Sequence, residues 1–100
     1  MASPINFNWV DEEGNHAGGV SSGVGFTIAW QRGPLQVGRN GAFLIEVLQA
    51  CESQLQHFQS GKFACRENEI ALQHLSEAIN ALESRRQRRM AEGKLGTHEA

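Results

Sequence analysis

The chain changes period at about residue 40, and that change limits what it can fold into. Residues 1–40 hold seven of the eleven glycines and both prolines. Within them, two short stretches alternate with period two. "INFNWV" puts Ile5, Phe7 and Trp9 on one face, and "VGFTIAWQ" does the same for Val24, Phe26, Ile28 and Trp30. Alternation of this kind is the mark of a half-buried strand. The segment between them, "DEEGNHAGGVSSG", reads as a flexible Gly-rich loop. The expectation is an antiparallel β-strand pair closed by a long connection.

Beyond residue 40 the period is helical. Asn40 is placed to N-cap a helix from Gly41 to about Gln59. Its stripe is Leu44, Val47, Leu48, Cys51, Leu55 and Phe58. "QSGK" breaks the pattern. A second helix is expected from about Arg66 to about Glu92, with Ile70, Ala71, Leu75, Ala78, Ile79 and Leu82 as its stripe and Gly93 as its stop. Two amphipathic helices joined by a short break form an antiparallel hairpin. The fold class is therefore α+β, in one domain: a β-strand pair over 1–38, a helical hairpin over 40–93 and a tail over 94–100. A hairpin cannot bury both of its stripes alone. The expected cover is a second hairpin, so the chain oligomerises through its helices.

Composition excludes several classes. The net charge is −2, which argues against a non-specific polyanion binder. No apolar run approaches the roughly 20 residues of a membrane span. "MASPINFNWVDEEG" has neither the basic nor the apolar region of a signal peptide, so the cytosol is the expected compartment. Cys51 and Cys65 are then reduced thiols. Cys51, His57, Cys65 and His74 match no compact zinc spacing, and no metal or cofactor is expected. "GGVSSGVG" lacks the lysine and the strand-to-helix context of a phosphate loop. No acid, base and nucleophile set is assembled, so no enzyme is expected.

"ALESRRQRRMAEG" packs Arg85, Arg86, Arg88 and Arg89 into five positions. Arg85 and Arg89 lie one turn apart and continue the stripe of Ala71, Ala78 and Leu82, with Arg88 beside them and Arg86 pointing elsewhere. Two directed guanidiniums at an interface edge suit an anionic ligand. The plainer reading is a dipole-matched helix end with Glu83 or Glu92 as local partners. At the turn, Phe58 and Asn68 are either packing and first-turn residues or an aromatic platform and an amide for a base.

Several segments together resemble a known family. These are "FTIAWQRGP", "RNGAF", "HFQSGKFACREN", "ALQHLSEAINALESRR" and "GKLGTHE", in that order over roughly residues 26–100. They look like the phage Thoeris anti-defence sponges, which share a helical hairpin domain with anti-CBASS sponges. "ESRRQRR" departs from the pattern, because many relatives carry a threonine and an acidic residue among the arginines. The resemblance implies a non-enzymatic protein in the cytoplasm of an infected bacterium. Such a protein would hold cyclic nucleotide immune signals without cleaving them. The implied ligands are cyclic ADP-ribose isomers such as 1″–3′ glycocyclic ADP-ribose, with cyclic di- or trinucleotides at separate sites. The implied assembly is a homodimer, and a hexamer as a trimer of dimers. The implied grip corresponds to Phe58, Asn68, Arg85 and Arg89, shared across a dimer interface. Arg32, Arg39 and Asn40 are candidates for a second ligand site. Two rivals stand beside this reading: a nucleic-acid-binding hairpin using residues 85–89, and a cyclic-nucleotide hydrolase using Cys65 or a histidine.

Overall fold

The computed structural model describes residues 3–98. It contains a three-stranded antiparallel sheet and a helical hairpin. In chain order the elements are β1 (Ile5–Val10), β2 (His16–Gly23), β3 (Phe26–Trp30), a 3-10 turn (Leu35–Val37), α1 (Leu44–Gln59) and α2 (Arg66–Ala91). They fall into two compact units. One comprises the sheet, the segment to Phe43 and the described part of the C-terminal tail; the other is Leu44–Gly93.

The expected strand pair is a three-stranded sheet in the order β1-β2-β3. The two expected strands do not pair with each other. Most of the expected loop is β2, which lies between them. The connection that remains is short and well organised. One oxygen of the Asp11 carboxylate accepts from the backbone N–H of Glu13 and of Asn15, each at 2.9 Å. Asp11 N in turn donates to Asn15 O at 2.9 Å. These bonds to the ionised form hold the Asp11 carboxyl below its ordinary 3.8, the backbone of Asn15 contributing most.

β2 was hidden by its glycines. Gly18 has φ 127°, beside the register shift at Trp9/Val10. A Cβ there would lie 2.5 Å from Arg32 Cγ and 3.2 Å from the Trp9 ring. The glycine therefore makes room for its neighbours within a strand and does not mark a turn. Val24, expected on the face of the last strand, is fully exposed in the turn before it.

Side-chain hydrogen bonds tie the three strands together. Trp30 Nε1 donates to Ser21 Oγ at 2.8 Å, and Ser21 Oγ donates to Asn6 Oδ1 at 2.5 Å. Ser21 is buried, so this relay satisfies its hydroxyl. Beyond β3, Ala42 N donates to Ala29 O and Gln31 N to Ala42 O, at 2.8 and 3.0 Å. Asn40 does not cap α1, which begins four residues later. Its amide instead brackets the Arg32 backbone: Oδ1 accepts from Arg32 N at 2.7 Å and Nδ2 donates to Arg32 O at 3.0 Å. In the tail, Gly96 O accepts from Leu35 N at 2.8 Å.

The helices match the expected hairpin. Gly93 ends α2 in a left-handed conformation, φ 72°. The inner face of α2 is rotated from the expected stripe. Asn68, Leu72, Leu75, Ile79, Leu82 and Arg89 are buried or half-buried, whereas Ile70, Ala71 and Ala78 are exposed. On α1, Ile45, Val47, Leu48, Glu52, Leu55 and Gln59 are half-buried, while Leu44, Cys51 and Phe58 are exposed. Cys51 thus lies outside the single chain's core. Ile79 is the only buried aliphatic or aromatic side chain among the described residues.

Candidate functional site

The four primary candidates all lie in the hairpin, two at each end. At the turn, Gln59 closes the loop with both ends of its amide. Nε2 donates to Cys65 O at 3.1 Å, and Oε1 accepts from Cys65 N at 2.8 Å. That clamp fixes the last residue of α1 against the residue that precedes α2. Phe58 therefore stands one residue before the end of α1, next to the clamp, and Asn68 sits in the first turn of α2. Phe58 is 50% exposed and Asn68 is half-buried. The turn also carries features that the helical pattern did not single out. Phe63 is exposed, with Lys62 Nζ 5.2 Å from its ring centroid, and the His57 ring lies 6.2 Å from that of Phe58. The signal available for them was the clustering of aromatics and a cation within "HFQSGKF".

At the far end, the arginine cluster divides. Arg86 pairs with Glu83 at 3.0 Å and Arg88 with Glu92 at 3.2 Å. These are the local partners that a solvated helix end would use, and both pairs are too exposed to add much stability. Arg89 is buried, at 6% exposure. Arg85 is exposed and forms no ion pair or hydrogen bond among the described residues.

The inner stripe of α2 puts the candidates in register. Asn68, Leu75, Leu82 and Arg89 recur every seven residues, so a polar group stands at each end of an apolar seam. Each end pairs an inward polar residue with an exposed one: Asn68 with Phe58, and Arg89 with Arg85. The structure does not bring the two ends together. Asn68 and Arg85 lie on one continuous helix, about 25 Å apart at 1.5 Å per residue.

The second candidate set lies in the sheet unit. Arg39 is stacked on Phe43, with its guanidinium carbon 4.2 Å from the ring centroid. Arg32 is exposed, and the Asn40 amide is engaged by the Arg32 backbone. A ligand there would meet two guanidiniums and little of the amide. Among the described residues, no three His, Cys, Asp or Glu side chains are grouped to hold a metal. No helix among the described residues is long and apolar enough to cross a membrane.

The family model described as "Acb2/Tad1, hairpin domain" matches residues 23–87. The chain is also similar to Thoeris anti-defense 1 of Bacillus phage SBSphiJ7, with 38% identity over 74 residues. That match covers 73% of this chain and 52% of the phage protein, so the chain spans about half the length of this relative. The family model's match takes in β3, α1 and most of α2, with the clamped turn between the helices. The chain belongs to the Acb2/Tad1 hairpin-domain family.

Proposed function

We propose that this protein is a phage anti-defence sponge. It binds a cyclic nucleotide immune signal of the cyclic ADP-ribose type in the cytoplasm of an infected bacterium and holds it uncleaved. The observation that carries the reading is the division of the arginines. Arg86 and Arg88 are occupied by their own helix, while Arg85 stands exposed beside the buried Arg89. Phe58 stacks the adenine, Asn68 reads a base or ribose edge, and Arg85 and Arg89 clamp the pyrophosphate. One small ligand cannot span the roughly 25 Å between Asn68 and Arg85. The arginines must then come from a second hairpin running antiparallel, which gives two equivalent pockets about a two-fold axis. The exposed Leu44, Cys51 and Phe58 of α1 and Ile70, Ala71 and Ala78 of α2 are apolar surface for that partner. Such dimers assemble further into a hexamer. Arg32 and Arg39 form a second anion site for a cyclic di- or trinucleotide.

The chemistry is retention. The candidate residues stack, hydrogen-bond and neutralise charge, and none is paired to activate water. The relative's name, Thoeris anti-defense 1, supports the biological role. The experiment is capture and release. The protein is incubated with a panel of cyclic nucleotides, freed of unbound ligand and denatured, and the released material is analysed. Intact cyclic ADP-ribose isomer is the expected product. A cleaved product would move the assignment to a hydrolase. Absence of ligand, together with salt-sensitive binding of nucleic acid, would move it to the "RRQRR" patch.

A further inference from the structure

The turn between the helices carries two side chains to which the ligand reading gives no part. Phe63 keeps 75% of its surface open, and Lys62 is exposed beside it. Single exposed apolar residues are ordinary. Here the rings of His57, Phe58 and Phe63 and an ammonium all stand on one turn, "HFQSGKF". That turn is fixed. Ser60 Oγ donates to His57 O at 2.6 Å, Gly61 N to Phe58 O at 3.3 Å and Ala64 N to Gly61 O at 3.2 Å. With the Gln59 clamp on Cys65, these bonds hold the backbone on both sides of Lys62 and Phe63. A turn already ordered offers its side chains to a ligand with little further loss of entropy.

The cations at this end of the hairpin divide as they do at the other. Arg66 is paired with Glu69 at 3.5 Å. Lys62 forms no ion pair or hydrogen bond among the described residues. Its neighbour is a ring, with Nζ 5.2 Å from the centroid of Phe63. That contact orients the ammonium and leaves its N–H donors open.

We propose that Lys62 and Phe63 are ligand-binding residues that make the turn a half-site for a nucleotide. Phe63 supplies a second aromatic surface for the base or ribose, in addition to Phe58, and Lys62 supplies a cation for a phosphate. The inference rests on the sponge reading for its pocket, and it changes how that pocket is assembled. Ring, amide and cation all come from one chain, through Phe58, Phe63, Asn68 and Lys62. The arginines of the second hairpin then close on a phosphate that already has a counter-charge. The ligand class follows from the set: an aromatic base joined to a phosphate. A nucleoside engages the rings and leaves the ammonium idle. The half-site alone binds too weakly to retain a ligand once free ligand is removed, so capture still needs the arginines.

Adenosine monophosphate and adenosine are the probes, in an Arg85→Ala chain that cannot supply the exposed arginine. NMR titration should show the monophosphate bound about tenfold more tightly than the nucleoside, with the shifts centred on the turn. Lys62→Gln should erase that preference, and Lys62→Arg should keep it. Phe63→Ala should weaken both probes about tenfold and leave their ratio unchanged. Both side chains are exposed, so Tm should not move. With Arg85 restored, Lys62→Gln and Phe63→Ala should each weaken binding of the cyclic ADP-ribose isomer about tenfold. No binding of the monophosphate, an unchanged preference in Lys62→Gln, or full affinity in Phe63→Ala overturns the proposal. The sponge reading survives any of these if the wild-type chain still captures the cyclic isomer. Conversely, a wild-type chain that captures no cyclic nucleotide, with a Lys62-dependent preference for the monophosphate intact, overturns the sponge reading and upholds the half-site.

Discussion

In the hairpin, Asn68, Leu75, Leu82 and Arg89 form a seam of sevens with polar groups at its ends. In the sheet, the buried side chain is Ser21, a polar residue, and the apolar side chains of β1 all lie open. The two units are thus built on opposite plans. The hairpin hides an apolar seam and shows a few directed polar groups. The sheet hides a hydrogen-bonded relay and shows apolar surface. On the proposed reading the hairpin presents chemistry to a ligand, whereas the sheet leaves an apolar outer strand open.

The sharpest way to test that division is to compare Arg85 with Arg89. Arg85→Ala should weaken capture of a cyclic ADP-ribose isomer at least about 100-fold, from loss of charge-assisted bonds at roughly 1.5–3 kcal/mol each. Its Tm should not move, because the side chain is exposed. Arg89→Ala should lose both binding and Tm, since it removes a buried side chain. Calorimetric titration alongside thermal melts distinguishes the two. Equal effects from both variants would erase the distinction between a displayed and an anchored arginine.

The relay comes next. Ser21→Ala leaves Trp30 Nε1 and Asn6 Oδ1 without their partner. It should cost about 2 kcal/mol of stability. The loss should fall on the sheet, read as faster hydrogen exchange in β1–β3 with α1 and α2 unchanged. Slower or unchanged exchange in the strands would mean that the relay is ornamental.

Gln59→Ala tests the matching device of the hairpin. Removing the two bonds to Cys65 should cost about 1 kcal/mol, since the site is exposed. It should also weaken ligand binding more than it lowers Tm, because Phe58 and Asn68 lose their fixed relation. A drop in Tm with full affinity would detach the clamp from the site.

The smallest effect concerns acid. The Asp11 carboxyl is held below its ordinary 3.8, first by the Asn15 backbone and then by that of Glu13. A depressed carboxyl stabilises the fold above its unfolded value, and that contribution is lost as pH falls through the folded one. The β1–β2 turn should therefore loosen only in strong acid, and Asp11→Asn should flatten that limb. A carboxyl NMR titration placing Asp11 at or above 3.8 would contradict the turn geometry.

The hairpin was legible in the sequence because its period, the "QSGK" break and Gly93 all agree. The inner face of α2 was misread by the alanines. Ala71 and Ala78 fit either side of a helix, so period alone did not fix the rotation, and the seam of sevens emerged only with the packing. β2 was missed for a different reason. "HAGGVSSG" has no alternation of large apolar residues, and its glycines look like turn signals. Their cause is the close approach of Arg32, Trp9 and Asn8 from neighbouring segments, which no local rule contains. Of the two arginines expected to continue the inner stripe, Arg89 does so and is buried, whereas Arg85 is exposed. The pairing of Arg86 with Glu83 and of Arg88 with Glu92 sets those two apart from the exposed Arg85, and that needed side chains in place.

The claim that one pocket takes residues from two chains has a direct test in subunit mixing. Arg85→Ala and Asn68→Ala chains are prepared singly and co-expressed, and bound cyclic ADP-ribose isomer is counted per chain. Each variant alone should bind none. Co-expression should restore about a quarter of the wild-type stoichiometry, since half the dimers are mixed and each mixed dimer has one intact pocket of two. No recovery in the mixed protein, or full binding by either variant alone, would contradict a pocket shared between hairpins.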